Sequence, residues 1–397
     1  MKIAVIGAKD LTVKPEVIDR YCQELYPKIA ARGHQVDLFV QPSYHQPCFS
    51  INYYHQIRVI ALLSIPGKQL NFLLNSALNT IWATLGNYDV IHIHGMASAW
   101  FSWFPQLFSG SSIVVTCHQL DCRQTKWRRL WRGLLPHMEK IAVRNANEII
   151  VTSKALTNYF RQRYDIYPQY IANAPASYDL PLNHRDSCNR SLGLHNQKYL
   201  LYWGQIEPDH RIDLLIRAFQ KLQLYNWRLV ITGAIDIDPG YASNLLSIAK
   251  LQGNQDNIII LGDIRGNALA ELIRSSSIFV DPSTGIDLNL SMTMLEVMRQ
   301  GIPILASDTI AHRQLLNDNR GLLFKSGQLD SLVRQLEYAI EQPDLLQAMA
   351  KKAQHYIAVN HNWDKVTYQN LFLYMQLSVT NYAAHQGTQQ SGEARQG

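Results

Sequence analysis

The stretch YWGQIEPDHRIDLLIRAF, residues 202–219, decides the fold of this chain. A short apolar run ends at Gly204, a polar loop follows, and from Ile212 apolar residues recur at the spacing of an amphipathic helix. A strand that turns at a glycine into a helix is the opening unit of many nucleotide-binding α/β domains. Residues 1–7, MKIAVIG, repeat the strand and its glycine. The sequence therefore predicts two domains of this kind.

Short apolar runs alternate with helical patterns along most of the chain, which is typical of parallel sheets covered by helices. We therefore predict an α/β fold of two doubly wound, Rossmann-like domains facing a central cleft, with ligands at the carboxyl ends of the strands. The predicted domains span 1–178 and 179–362, a helix over 363–384 crosses back to the first domain, and a polar tail over 385–397 is disordered. The predicted strands are 2–6, 35–40, 90–94, 112–117, 148–152, 199–203, 228–232, 257–261, 278–280 and 303–306.

Composition restricts the class of protein. At 397 residues, with 47% hydrophobic and 17% charged residues, the chain has the size and balance of two globular domains. It contains no apolar run long enough to span a membrane. Its five cysteines form no C-x-x-C pair, which argues against a zinc site and favours a reducing cytoplasm. Residues 1–178 hold 18 Lys and Arg against 10 Asp and Glu, a net +8 that suits either an anionic partner or an ordinary solvated surface.

Further landmarks follow one another along the chain. They are RGHQV at 32–36, VVTCHQLD at 114–121, NIIILG at 257–262, DPS at 281–283 and MLEVMRQGIP at 294–303. Together with 202–219, they resemble the motifs of family 4 glycosyltransferases of the GT-B architecture, such as R-G-H-x-V, V-T-x-H-G-L-D and L-E-A-M-A-x-G-x-P. No single landmark is specific, but their order is, and the similarity covers about residues 1 to 380.

This resemblance implies a retaining transfer of a hexose from a nucleotide diphosphate donor to a glycan or lipid-linked acceptor, in the synthesis of cell-surface polysaccharide. The second domain would hold the nucleotide sugar and the first domain the acceptor. Cationic side chains and helix N-termini would stabilise the diphosphate leaving group. No metal and no cofactor besides the nucleotide-sugar co-substrate is therefore implied. The implied location is the cytoplasm, at the inner face of the plasma membrane.

The resemblance also assigns roles to individual residues. Glu296 matches the second glutamate of the family's E-x7-E motif and would accept hydrogen bonds from the ribose hydroxyls; the alternative is a carboxylate on a solvated helix face. His118, at the end of a strand, would be a catalytic residue that contacts the donor sugar, unless it is a structural histidine. Asp121 would bind the acceptor or cap the next helix. His94 and Glu16 complete the predicted acceptor site.

Several donor-site positions depart from the family pattern. Gln205 and His210 replace an arginine and a lysine that would offset the diphosphate charge, and Arg211 is a candidate substitute. Leu288 replaces the first glutamate of the motif, so the adjacent Asp287 becomes a second catalytic candidate. The other predicted donor contacts are Gly204, Ile264, Ser291 and the backbone N–H groups at Met292 and Thr293.

These departures leave two explanations open. Either the enzyme uses an altered donor and binding geometry, or catalysis has been lost and the protein serves as a partner of an active enzyme. We predict the enzyme. A nicotinamide dehydrogenase is disfavoured because residues 7–12 lack G-x-G-x-x-G, and nucleic-acid binding is disfavoured because no recognisable module accompanies the basic residues.

The stretch RQTKWRRLWR, residues 123–132, interleaves cations with two tryptophans. We predict that residues 126–132 contact an anionic membrane peripherally, with tryptophans at headgroup level and Lys126 and Arg132 among the cations on lipid phosphates. The alternative is a helix that packs Trp127 and Trp131 inward, four residues apart, and leaves its arginines in water.

Overall fold

The computed structural model describes residues 1–9, 11, 17–41, 49–120, 133–175, 187–224, 226–235, 238–250, 255–285 and 288–393. The chain forms two compact units, Met1–Asn173 with Trp363–Gly397, and Ala174–Asn362. Each unit is built on one sheet whose strands are separated in sequence mostly by helices. This confirms the predicted α/β fold of two doubly wound domains.

The first unit carries an eight-stranded sheet within its described residues. Its strands are β1 (Lys2–Ala8), β2 (Gln35–Val40), β3 (Ser50–Tyr54), β4 (Ile57–Ala61), β5 (Val90–His94), β6 (Ser112–Cys117), β7 (Glu148–Val151) and β8 (Gln169–Tyr170). They pair in the order β3-β4-β2-β1-β5-β6-β7-β8, and each pair is parallel except β3 with β4. The strand order reverses between β1 and β5, which is where open α/β sheets bind ligands at their carboxyl ends.

The second unit carries a six-stranded sheet within its described residues. Its strands are β9 (Lys198–Trp203), β10 (Trp227–Thr232), β11 (Ile258–Leu261), β12 (Ile278–Asp281), β13 (Ile304–Ser307) and β14 (Leu322–Phe324). They pair in parallel in the order β11-β10-β9-β12-β13-β14, so the order reverses between β9 and β12. Tyr199, Leu200 and Leu201 of β9 are fully buried, as expected for a continuous apolar strand in the middle of a parallel sheet.

Several of the described helices follow the amphipathic patterns of the sequence. In the helix that opens the second unit, Ile212, Leu215, Ile216 and Phe219 recur at helical spacing and pack in one core with Leu200 of β9. None of the described helices combines the length and the apolarity needed to cross a membrane. The helices are α1 (Val17–Ala30), α2 (Lys68–Leu85), α3 (Trp103–Phe108), α4 (Leu135–Asn145), α5 (Lys154–Tyr164), α6 (Ser187–Ser191), α7 (Ile212–Leu222), α8 (Pro239–Lys250), α9 (Gly266–Ser275), α10 (Met292–Arg299), α11 (Ile310–Leu316), α12 (Leu329–Glu341), α13 (Pro343–Asn360) and α14 (Trp363–Glu393).

The end of the chain differs from the sequence prediction. Helix α14 continues to Glu393, beyond the predicted helix end at residue 384, so residues 385–393 are helical where the sequence predicts a disordered tail. Helical hydrogen bonds lie within the segment itself, so a polar stretch without apolar anchors still continues a helix that has already begun. Residues 394–397 lie outside the described residues.

Candidate functional site

The carboxyl ends of β9 and β10 approach each other at two glycines. A Cβ atom added to Gly233 would lie 1.8 Å from the carbonyl oxygen of Gly204, so only glycine fits at this position. The N–H of Gly204 donates to the carbonyl oxygen of Thr232 over 3.1 Å. Gln205 is exposed directly after Gly204, and the N–H of Ile264, after β11, lies 3.5 Å from the hydroxyl oxygen of Thr232. The predicted donor contacts Gly204, Gln205 and Ile264 therefore lie at one edge of the sheet.

His210 connects the loops that follow two neighbouring strands. It ends the 3₁₀ turn Pro208–His210 after β9, and its Nδ1 lies 3.0 Å from the hydroxyl oxygen of Ser283, just after β12. Beside this contact, the N–H of Thr284 donates to the carbonyl oxygen of Asp209 over 2.9 Å. Because β9 and β12 are adjacent, these hydrogen bonds fix His210 where the strand order of the second sheet reverses.

Arg211, the predicted substitute for the missing lysine, forms an ion pair. Its backbone is left-handed at φ 46°, and its Nε lies 3.2 Å from Oδ1 of Asp213. The Tyr241 hydroxyl donates to the same carboxylate over 3.0 Å. The guanidinium has five N–H donors, so this pairing leaves donors for a phosphate next to His210.

A buried ion pair that the sequence motifs do not indicate is linked to His210 through Ser283. Oδ2 of Asp281, the last residue of β12, lies 3.4 Å from Nε2 of His312 on α11, and both residues are buried. Asp281 also accepts hydrogen bonds from the N–H of Ser283, over 3.1 Å, and from its hydroxyl. Nδ1 of His312 lies 2.8 Å from the carbonyl oxygen of Ser307. In the sequence, Asp281 could have been recognised as a candidate site residue because it is a carboxylate that ends an otherwise apolar strand.

Each partner of this ion pair determines the charge of the other. Burial disfavours the ionised form of Asp281, but His312 and the Ser283 hydrogen bonds outweigh it and hold the pKa of this carboxyl well below its usual range. Burial also lowers the pKa of His312, but the attraction of Asp281 outweighs this effect, so that pKa is raised. Asp281 is therefore an ionised, acceptor-only group, and His312 favours its protonated form.

Glu296 lies on α10, and residues of its own helix end hold its carboxylate. Oε1 accepts hydrogen bonds from Nη2 of Arg299, over 2.6 Å, and from Nε2 of Gln300, over 2.9 Å, while Oε2 accepts from Nε of Arg299 over 3.1 Å. At 4% exposure the residue is not on a solvated helix face. A carboxylate has about four lone-pair positions, so these contacts leave one, on Oε2, for a ribose hydroxyl.

The start of α10 supplies the backbone groups predicted to contact phosphate. Ser291 caps the helix, and its hydroxyl accepts the N–H of Met294 over 3.3 Å. The N–H groups of Met292 and Thr293 lie in the first turn, where a helix has no acceptor of its own for them. Their position suits an anionic oxygen.

In the first unit, three histidines at the carboxyl ends of β5 and β6 form a buried chain of hydrogen bonds. Nδ1 of His94 lies 2.9 Å from Nε2 of His118, and Nε2 of His94 lies 2.6 Å from the hydroxyl oxygen of Tyr26. The same hydroxyl lies 2.9 Å from Nδ1 of His92, whose Nε2 lies 2.7 Å from Oγ1 of Thr116. The parallel pairing of β5 with β6 thus brings together the predicted site residues His94 and His118.

His118 is the member of this chain with an unused ring nitrogen. Its Nδ1 is buried and has no hydrogen-bond partner among the described residues, whereas both ring nitrogens of His94 are engaged. Burial lowers the pKa of His118 to about 3 and that of His94 well below its ordinary value, so both rings are neutral. His94 is fully buried and orients His118 through the contact between their rings. Its direct contact with the acceptor stays a prediction.

Aromatic side chains that the sequence does not single out surround these histidines. The ring of Tyr21 packs edge-on against His118, with centroids 4.8 Å apart, and against Trp363, with centroids 5.4 Å apart. The hydroxyl of Tyr374, on α14, lies 2.5 Å from Nδ1 of His92. Other predicted site residues lie outside the described residues: Asp287, Glu16, Asp121, and the membrane stretch 126–132.

Two protein-family models match the chain. The model described as Glycosyltransferase Family 4 matches residues 18–176, and the model described as Glycosyl transferases group 1 matches residues 185–356. The chain is 22% identical over 376 residues to an uncharacterized glycosyltransferase of Methanocaldococcus jannaschii, covering 89% of this chain and 93% of that protein. It is 24% identical over 324 residues to a phosphatidyl-myo-inositol mannosyltransferase of Propionibacterium freudenreichii subsp. shermanii, covering 80% and 78% respectively.

Solved structures share the fold of this chain. Sucrose-phosphate synthase from Thermosynechococcus elongatus superposes with a TM-score of 0.79 at 21% identity, covering 96% of this chain and 99% of that one. HepE of Anabaena, solved in complex with UDP, superposes with a TM-score of 0.74 at 18% identity, covering 95% and 100%. At these identities the similarity establishes a common fold.

Proposed function

Since the chain belongs to the family 4, group 1 glycosyltransferases with the GT-B fold, we propose that it transfers a sugar from a nucleotide diphosphate donor to a glycan or lipid-linked acceptor. The finer proposal is a retaining transfer of a hexose in the synthesis of a cell-surface polysaccharide. One relative is named as a mannosyltransferase of phosphatidyl-myo-inositol, which supports a lipid-linked acceptor. The names of the relatives give no support to the alternative of an inactive partner protein.

The observation that carries this proposal is the polar carboxyl edge of the second sheet. It brings the His210 ring, the Arg211 guanidinium and the Ser283 hydroxyl to the loops after β9 and β12. Cationic, hydroxyl and N–H donors stabilise the charge that develops on a departing diphosphate. HepE, which shares the fold, was solved with UDP bound, and this supports a nucleotide sugar as the donor.

The proposal gives each candidate residue a task. The donor contacts surround the nucleotide and its diphosphate, with Glu296 on the ribose. His118 contacts the transferred sugar, and Asp287 is the second catalytic candidate. On the acceptor side, Asp121, Glu16 and His94 bind the acceptor, and His94 also positions His118. The donor contacts are Gly204, Gln205, His210, Arg211, Ile264, Ser291, Met292, Thr293 and Glu296.

Replacing Glu296 with alanine should weaken binding of the nucleotide sugar by about 10- to 100-fold. The remaining lone pair on its carboxylate accepts a ribose hydroxyl, and a hydrogen bond to a charged group contributes about 1.5 to 3 kcal/mol. Calorimetric and thermal-shift titrations of the wild type and Glu296→Ala with UDP-, GDP-, ADP- and dTDP-sugars measure this loss and identify the donor.

The matched control is Glu337→Ala, which removes an exposed glutamate on α12 and should bind the donor like the wild type. Glu296→Gln keeps the side-chain shape without the charge and should lie between the wild type and Glu296→Ala. Equal donor binding by the wild type and Glu296→Ala would contradict the ribose contact. Absence of binding to every nucleotide sugar would contradict the proposed function itself.

We further propose peripheral contact with an anionic membrane, at the inner face of the plasma membrane, through residues 126–132 and the exposed helices of the first unit. Helix α2 supports this proposal because it buries polar side chains and exposes large apolar ones. It buries Asn75 and Asn79, whereas Trp82 is half exposed and Leu85 is 74% exposed. An outward apolar face of this kind is stabilised when it inserts among lipid headgroups.

Replacing two exposed side chains of α3, which packs against α2, should reduce the fraction of protein that floats with phosphatidylglycerol liposomes by about tenfold or more. Leu107, 68% exposed, and Phe108 are the two residues, and both become serine. The expected loss arises because burying each such side chain contributes about 1.5 to 3 kcal/mol. A second variant, with Arg128, Arg129 and Arg132 replaced by glutamine, tests the cationic stretch.

Leu246→Ser, which changes an exposed leucine on α8 of the second unit, is the matched control and should float like the wild type. Flotation that weakens in the arginine variant at low salt supports an anionic lipid surface, because surface charges are screened as salt rises. A wild type that does not float, or flotation unchanged in both variants, would contradict the membrane contact.

A further inference from the structure

The hydrogen bond between His210 and Ser283 has a defined direction. Ser283 has one hydroxyl proton, and the buried, ionised Asp281 accepts it. If Ser283 donated to His210 instead, its oxygen would face the carboxylate oxygen of Asp281 without a proton between them. The Ser283 oxygen therefore accepts the Nδ1–H of His210 across their 3.0 Å contact.

The other ring nitrogen, Nε2, is the atom that His210 presents to a ligand. No described residue forms a hydrogen bond with it, and the ring is half-buried. With the proton fixed on Nδ1, a neutral His210 has a lone pair on Nε2, which repels a phosphate oxygen. A protonated His210 has an Nε2–H donor and a positive charge. A diphosphate oxygen therefore binds the protonated ring.

We propose that the chain from Asp281 through Ser283 makes His210 a proton-linked ligand of the diphosphate, so that the ring takes up one proton when the nucleotide sugar binds. This inference rests on the proposed function, since it assigns the diphosphate to the same edge of the sheet. Asp281 and Ser283 are positioning residues that set the ring tautomer. Donor affinity rises as pH falls, because only protonation gives His210 the charge that a lysine carries permanently.

The charged groups around His210 are mostly paired. Asp281 faces His312, and Arg211 faces Asp213. The ring of Tyr202 packs edge-on against His210, and burial raises the pKa of this phenol well above its usual range, so it stays neutral. Among the described residues around His210, His312 is the only other histidine. Tyr202 packs against His210, and Asp281 interacts with it electrostatically. The other charged or titratable side chains on the described segments that adjoin His210 or pair with its neighbours are Glu207, Asp209, Arg211, Asp213 and His312.

Calorimetric titration of the full chain with UDP-glucose, GDP-mannose and ADP-glucose tests this inference. These diphosphates lack the phosphate monoester that titrates near about pH 6, so any proton taken up is bound by the protein. Titration in buffers of different ionisation heat gives the number of protons taken up per donor. We expect an uptake of up to about one proton, with affinity rising up to about tenfold per unit decrease in pH between about pH 8 and about pH 6.

Three variants test whether His210 is the group that takes up the proton. His210→Lys should bind the donor at about pH 8 at least as tightly as the wild type, without proton uptake. Ser283→Ala releases the ring to carry its single proton on Nε2, so the pH dependence should weaken. His355→Lys, which changes an exposed histidine on α13, is the matched control and should retain the proton uptake of the wild type.

The outcomes separate this inference from the proposed function. Donor binding by the wild type without proton uptake, or equal uptake by the wild type and His210→Lys, overturns the inference and leaves the proposed function in place. If proton uptake disappears in His312→Gln but persists in His210→Lys, the proton binds to the buried pair of Asp281 and His312, and the inference is also overturned. Absence of donor binding by both the wild type and His210→Lys overturns the donor site and this inference together.

Discussion

The His118→Ala variant is expected to transfer sugar about 100-fold more slowly than the wild type at saturating donor. Nδ1 of His118 is buried without a hydrogen-bond partner among the described residues, while His94 holds the opposite ring nitrogen at 2.9 Å. In the proposed role, a ring fixed in this way would contact the reacting sugar without reorganisation. Loss of one preorganised contact reduces kcat by about 100- to 1000-fold. Release of nucleoside diphosphate from the bound nucleotide sugar measures kcat.

Two conservative variants distinguish a direct role of His118 from a structural one. His118→Asn keeps a hydrogen-bonding atom near the position of Nδ1 and loses the contact with His94, whereas His118→Gln keeps the contact with His94 and loses the atom near Nδ1. If Nδ1 contacts the sugar, the asparagine variant retains the higher kcat. Equal kcat values, with equal losses of thermal stability, would show that His118 only supports the fold.

The strand ends that carry the histidines could be predicted from the sequence. Strands β2, β5 and β6 have the predicted bounds, because each is a short, mostly apolar run that can be recognised without information from distant residues. The partners of the histidines could not be predicted. Tyr374 contacts His92 across 282 positions of the chain, and no local pattern links a tyrosine on the last helix to the end of a strand.

The hydrogen-bond partners of the donor-site residues could not be predicted from the sequence either. Motif positions placed His210 correctly after β9, but the direction of its hydrogen bond depends on Ser283, which only the folded sheet brings near. The sequence motif also indicated Glu296, but not that Arg299 would occupy both of its oxygens. Antiparallel pairing at the sheet edge, as in β3 with β4, likewise follows from tertiary contacts, since the half-exposed β3 lacks a long apolar run.

Replacing Asp281 with alanine should lower the free energy of unfolding by about 3 to 5 kcal/mol, because it leaves His312 as a buried charge without its partner. Nε2 of His312 lies 3.4 Å from the Asp281 carboxylate, and both side chains are almost fully enclosed. The replacement also leaves the Ser283 hydroxyl without its acceptor. Urea unfolding of the full chain at about pH 5.5 measures the change, at a pH where the pair is charged.

The pH dependence of this loss follows from the two pKa shifts. The pKa of Asp281 is depressed by folding, so its contribution is present above about pH 4, where the unfolded carboxyl ionises, and is lost as pH falls through the folded pKa. The pKa of His312 is raised, so its contribution is complete below about pH 6.5 and is lost as pH rises through the folded pKa. The difference between the wild type and Asp281→Ala should be widest between about pH 4 and about pH 6.5.

Two further variants identify the charge pair as the cause. Asp330→Ala removes an exposed carboxylate 2.7 Å from Nζ of Lys221 and should leave unfolding nearly unchanged, because exposed ion pairs contribute little. Asp281→Asn keeps the side-chain volume and an acceptor oxygen for Ser283 but no charge for His312. Its destabilisation should therefore be large where His312 is protonated and should shrink at higher pH, where the ring becomes neutral. A destabilisation of Asp281→Asn that stays constant across this range would contradict the charge pair, since lost packing and lost neutral hydrogen bonds do not titrate.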